Sequence, residues 1–297
     1  MNVYLYDNSK SDKKGALVSY TTSDDGKIYN MIPGQTYLWE SSTDNTKYGA
    51  VTATGSRRTL KTAVRNLRDL GGLSVSYTDL STGQPVNGTI DYGRLYRGAE
   101  ITSADGVSDL TKLGVTREID LRGTEGTQIW KLSNYDIGTS SNYTDVVITN
   151  YIINPVATLY IPTPHGPNYQ AVKSALRTVM EYVVFNNDNI FFHCTIGTDR
   201  TGTLAYFLEG LLGVSEEDRL RDYELTYFFG LTNRTRFHDS VSWSNTNPRF
   251  YSMYRSYPTN ADIYNYYTYE SHVVDPNNPN DLSDAELLTR FRNALVH

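Results

Sequence analysis

The stretch "FFHCTIGTDRTGT", residues 191–203, holds the only cysteine of the chain. Its neighbours have the types and spacing that phosphoryl transfer needs. Arg200, six residues after Cys194, can return across the loop between them as a planar fork that matches two phosphoryl oxygens, a geometry that Lys lacks. Gly197 lets the backbone turn tightly with its amides exposed. Thr201 can donate a hydrogen bond to the Cys194 sulfur, stabilising a thiolate that both attacks and leaves, while His193 can brace the loop through its backbone. Thr195, Ile196, Thr198 and Gly202 fill the remaining places around the bound phosphate. These parts describe a cysteinyl-phosphate mechanism, in which positioning and electrostatics supply most of the catalysis. The plainer fate of a lone cysteine is a buried structural thiol; Gly197, Arg200, Thr201 and Gly202 at their offsets weigh against it.

Such a cysteine must stand at a strand-to-helix junction. "NIFFH" reads as a short buried strand, and Leu204, Ala205, Phe207, Leu208, Leu211 and Leu212 then repeat at helical spacing until Gly213 stops them. A helix N-terminus directs free N–H groups and partial positive charge at the loop, which binds anions and favours thiolate over thiol. Upstream, Val172, Ala175, Leu176, Val179 and Val183 form one face of a helix over 168–185. Ser103 can cap a helix carrying Val107, Leu110 and Leu113, and "TREIDLRG" reads as a strand. Alternating strands and helices of this kind make an α/β layer. Residues 1–62 differ: "ALVSYTT", "KIYNMI", "QTYLWE" and "YGAVTATG" are short β runs between turn signals. The division expected is a β-rich accessory region over 1–62, a structural addition or a carbohydrate- or protein-binding unit, and a catalytic domain over 63–297. The Tyr- and Asn-rich stretch 237–280 shows no period and reads as an inserted cap or an irregular surface excursion. "LSDAELLTRFRNALV" is a helix with Ser283 and Glu286 in capping-box spacing.

Composition narrows the function classes. The 27 basic and 33 acidic residues give a net charge of -6 with no basic stripe, which argues against a nucleic-acid binder. The five histidines are scattered at 165, 193, 238, 272 and 297, so neither metal nor other cofactor is expected. No apolar run is long enough to span a bilayer, and "MNVYLYDNSKSDKKG" lacks the apolar core of a signal peptide. Twenty-five tyrosines with many Asn, Ser and Thr suit an exported bacterial protein, secreted or at the cell surface, whose leader is not part of this sequence; a cytoplasmic location stays open.

H-C-x-x-G-x-x-R-T-G is the phosphate loop of the protein tyrosine phosphatase superfamily, and "HCTIGTDRTG" resembles it at every fixed position. "NLRDLGG" (66–72), "GRLYRGAEI" (93–101) and "LGVTREIDLRGTEG" (113–126) look like signature blocks of its bacterial branch, which includes secreted tyrosine and lipid phosphatases. The resemblance runs from about residue 62 to the end. It implies the tyrosine phosphatase fold, a mostly parallel central sheet flanked by helices, and a phosphorylated protein, phospholipid or inositol phosphate as substrate. That branch typically has H-C-x-A-G-K-D-R-T-G, whereas Ile196 and Thr198 stand here for its Ala and Lys. The missing loop cation accompanies activity on phosphoinositides in the family, so phosphotyrosine or a simple monoester is favoured.

The better-known relatives take their general acid from a loop well before the cysteine, but Val146–Met180 contains no Asp or Glu, and the loop "NPVATLYIPTPHGPNYQ" within it offers only His165 as a donor. Asp199 lies inside the loop, where the resemblance places the acid of the bacterial branch. A phosphate dianion beside Asp199 favours its acid form and Arg200 opposes this, so His165 or a water relay stays as the alternative. Arg68 and Asp69 read either as a salt bridge in a turn or as a border of the pocket. Arg122 and Glu125 read as bracing one another or the loop, with a direct substrate contact as the alternative. Two other classes stay in view: a silent phospho-binding module, against which Cys194, Asp199 and Arg200 all speak, and an arsenate reductase or sulfurtransferase, weakened by the lack of a second cysteine.

Overall fold

The computed structural model describes residues 2–20, 28–41, 48–122, 130–133, 135–136, 169–229 and 256–297. Its centre is a five-stranded sheet made of β5 (Arg68–Asp69), β8 (Leu95–Ala99), β9 (Arg117–Asp120), β10 (Tyr135–Asp136) and β11 (Ile190–Cys194), in the order β10-β9-β11-β8-β5. All neighbours are parallel except β5, which runs antiparallel along the edge of β8. Strand β11 lies in the middle and every residue of "IFFHC" is buried. That explains why its sequence is a continuous apolar run: a strand covered on both faces has no solvent side to mark by alternation.

Helices α1 (Ala104–Lys112), α2 (Tyr169–Asn186), α3 (Asp199–Leu212), α4 (Glu216–Glu224), α5 (Asn260–Thr268) and α6 (Asp284–Leu295) accompany the sheet. Ser103 caps α1 by accepting from the Gly106 amide, and Ser283 and Glu286 form the expected capping box of α6. Helix α3 is buried on all sides from Leu204 to Leu212 and stops at Gly213, whose φ of 92° only glycine adopts freely. The apolar face of α2, including Val172, Leu176, Val179 and Val183, joins α3, α6 and β11 in one core. A hairpin of β6 (Ser74–Thr78) and β7 (Pro85–Thr89) flanks this core, with Ser76 N–H donating to Gly213 O. Of the stretch 237–280, the described residues 256–280 contain α5, which buries Ile263, Tyr266 and Tyr267. Ile263 lies so close to Gly210 that a Cβ there would be 2.3 Å from it. The tyrosines of this helix lie on its buried and half-buried sides, while Ala261 and Asn265 face solvent.

The N-terminal region is β-rich, as its sequence implies. Strands β1 (Asn2–Tyr6), β2 (Lys14–Tyr20), β3 (Thr36–Glu40) and β4 (Tyr48–Thr52) form an antiparallel sheet in the order β2-β1-β3-β4. One expectation fails: the described part of "KIYNMI", residues 28–32, is not a strand. Asn30 sits at φ 65°, outside the pleat, and is held there because its side chain accepts from Lys61 N–H and donates to Lys61 O. Arg58 donates to Asn30 O and also pairs with Asp69 at 3.1 Å. This links the small sheet to β5 of the large one.

Candidate active site

The loop from Cys194 to Arg200 leaves the C-terminal end of the central strand, where parallel sheets place their ligand sites. Its conformation is set from outside. Glu100 N–H donates to Thr195 O at 3.4 Å, Asn66 Nδ2 donates to Ile196 O at 3.1 Å and Gly197 O at 3.0 Å, and Arg97 Nη2 also donates to Gly197 O at 3.0 Å. Three successive carbonyls are thus turned outward. In a trans peptide the N–H points opposite to the C=O, so the amides of Ile196, Gly197 and Thr198 face the other way, into a concave anion nest. Gly197 has φ 71°, and a Cβ there would stand 2.4 Å from the Gly98 backbone. Only glycine lets the loop lie this close to β8.

The residues singled out in the sequence fall around this nest. Cys194 is buried, with 3 % exposure. Arg200 is buried in the first turn of α3 and its Nη1 donates to Leu121 O at 3.2 Å. Asp199 is half-buried at the start of α3, Thr195 is exposed and Ile196 half-buried. Gly202 N–H donates to Thr198 O, closing the first turn. Thr198 and Thr201 are fully buried, and neither hydroxyl has a hydrogen-bond partner among the described residues. The hydrogen bond expected from Thr201 to the Cys194 sulfur is therefore not formed in this state. His165 and Glu125 lie outside the described residues.

His193 has Nδ1 at 3.3 Å from Cys194 O and Nε2 at 2.9 Å from Glu118 Oε1. Both partners are buried. Arg122 is clamped by Asp120, through Nε at 2.9 Å and Nη2 at 2.6 Å, and by Glu100. Burial alone would raise the Asp120 carboxyl, but the Arg122 hydrogen bonds and the His193 ring outweigh it, so the net shift is downward.

Arg68 and Asp69 do not pair with each other. Asp69 takes Arg58 and the amides of Gly71 and Gly93. Arg68 donates to Asn66 Oδ1 and, through Nε, to Asp222 Oδ1 at 3.1 Å. Arg97 Nη1 reaches the other Asp222 oxygen at 2.6 Å. Asp222 on α4 is thus the common anchor of two guanidinium groups. One of them holds Gly197 directly and the other orients Asn66, which holds Ile196 and Gly197. Burial opposes the Asp222 charge, yet Arg68 and Arg97 prevail and lower its carboxyl to about 2. The reverse holds for Glu209 on α3: burial first, then the Asp222 charge, push it well above the carboxylate range. Neither of its oxygens has a hydrogen-bond partner among the described residues.

Asn66, Arg97, Glu118 and Asp120 all lie inside the quoted signature blocks, but their tasks were not readable there. Asp222 carries no local signal at all. It is one acid among several in "SEEDRLRDYE" until α4 packs against α3 and brings it to Arg68 and Arg97.

The model of the family described as "Tyrosine phosphatase family" matches residues 60–262, well over half of the chain. The chain belongs to that family, and it is accordingly a phosphatase, a hydrolase of phosphoric monoesters. No curated protein is similar enough to count as a match.

Proposed function

We propose that the chain hydrolyses phosphotyrosine through a cysteinyl-phosphate intermediate. The observation that carries this reading is the outward pinning of the Thr195, Ile196 and Gly197 carbonyls, which turns the following amides toward an anion next to Cys194. The phosphoryl oxygens take these amides and the Arg200 fork. The Cys194 thiolate attacks phosphorus, an S–P bond forms as the P–O(aryl) bond breaks, and Asp199 gives its proton to the departing phenolate. Water then attacks phosphorus, Asp199 takes its proton, and the S–P bond breaks to return thiolate and inorganic phosphate. The buried Thr201 hydroxyl, with no partner among the described residues, suits the sulfur once negative charge develops there. The absence of a loop cation at Thr198 supports a singly phosphorylated substrate.

The test is phosphate release by the wild type and Cys194→Ser on a phosphotyrosine peptide, a phosphoserine peptide, a phosphoinositide panel and inositol hexakisphosphate. The expected result is release from phosphotyrosine only, abolished in Cys194→Ser. Preferential release from lipid or inositol phosphate would replace the substrate assignment, and equal background rates for both proteins would overturn the mechanism.

A further inference from the structure

A cavity of about 600 Å³ opens between the segment 56–57, the turn 72–74 and the α4 edge, away from the catalytic loop. This size is ordinary for a small-molecule site. Leu73, Leu225, Tyr227 and Phe228 give it carbon walls, and the last three belong to the short 3-10 helix Leu225–Phe229 that follows α4. Phe228 is 77 % exposed and Tyr227 45 %, a large apolar surface left to solvent at the cavity rim.

The polar end is just as distinct. Asp218 in the wall is taken by Ser215 and Arg221. Asp222 is taken by Arg68 and Arg97. Arg57 donates to Asp69 O through Nη2 and stands 4.0 Å from Asp222, while its Nε and Nη1 carry no hydrogen bond among the described residues. Three guanidinium groups, of Arg57, Arg68 and Arg97, thus surround one carboxylate at the cavity floor. Arg221 and Glu224 add one charge of each sign elsewhere in the lining, so the excess of guanidinium over carboxylate lies at the Arg57 end, where burial also raises the Glu209 carboxyl behind Asp222.

We propose that this cavity binds a small amphipathic anion, its carboxylate or phosphate head paired with Arg57 and its carbon body lying against Leu73, Leu225, Tyr227 and Phe228. The occupant would sit one ion pair away from Arg97 and the catalytic loop, but at a site distinct from Cys194. The proposal does not depend on the phosphotyrosine reading.

The experiment uses the full chain carrying Cys194→Ser, so that turnover plays no part, and follows binding of decanoate, 1-decanol and inorganic phosphate by ligand-observed NMR and calorimetry. Decanoate is expected to bind saturably, and more tightly than decanol or phosphate alone. Adding Arg57→Ala should weaken decanoate by about tenfold, as loss of one charge-assisted pair does, and leave decanol unchanged. Phe228→Ser, at an exposed position, should weaken decanoate and decanol alike. Melting curves of both variants confirm that they are folded. Decanol binding as well as decanoate, or decanoate binding Arg57→Ala undiminished, would overturn the head-group assignment. Absence of saturable decanoate binding would overturn the site.

Discussion

Asp222→Asn is the sharpest perturbation of the loop support, because it changes one atom type at a buried position on α4, outside the catalytic loop. The wild-type carboxylate accepts from Arg68 at 3.1 Å and from Arg97 at 2.6 Å, and both arginines are buried. An amide keeps one acceptor and turns an N–H₂ toward the other guanidinium. Removing one partner of a buried ion pair costs about 3–5 kcal/mol, because the remaining charge is left uncompensated. The expected loss of stability in urea titration is of that size. Arg97 also loses its anchor and with it a fixed hold on Gly197 O; one charge-assisted hydrogen bond of about 1.5–3 kcal/mol corresponds to roughly ten- to hundredfold weaker binding of the anion. Vanadate affinity, measured where both proteins remain folded, reads this directly. The pH dependence supplies an independent check. The Asp222 carboxyl is lowered from 3.8 to about 2, so its contribution is complete above about pH 4 and is lost as pH falls toward 2. Wild type should lose this stability on acidification and Asp222→Asn should not. If the variant melts like wild type and binds vanadate equally well, the anchor role is wrong.

Glu209 has the opposite sign: its carboxyl is raised by burial, so the folded state holds a proton that the unfolded state releases above about pH 4.5, and stability falls as pH climbs through that window. Glu209→Gln, which fixes the neutral form, should gain on wild type by at most about 1.4 kcal/mol per pH unit there, and parallel stability curves for the two proteins would show that the carboxyl is ionised after all. Asp199→Asn should cost about 10²–10⁴ in kcat on phosphotyrosine but far less on an aryl phosphate whose phenolate needs no proton; equal losses on both substrates would assign the acid elsewhere, His165 included.

Much of this molecule is legible in its sequence because the information is local. The spacing of Cys194, Gly197, Arg200 and Thr201, the apolar run of β11, the Ser103 and Ser283 caps and the Gly213 stop each depend on a few neighbours along the chain, where turn geometry and helical periodicity act. That suffices for the chemistry and the class of fold. It failed at Asn30, where an apparently strand-like run is broken by a side chain that hydrogen-bonds a backbone thirty-one residues away.

What only tertiary structure decides is what holds the loop open to an anion. Asn66 and Arg97 reach Gly197 across 131 and 100 residues, and Asp222 reaches Arg68 across 154. The sequence assigns Arg68 and Asp69 to each other or to the pocket border, yet β5 presents one to Asp222 and the other to Arg58, because successive side chains of a strand point to opposite faces. Burial makes such partners obligatory: a guanidinium taken out of water must find its acceptor wherever the fold places one, and nothing in the local sequence says where.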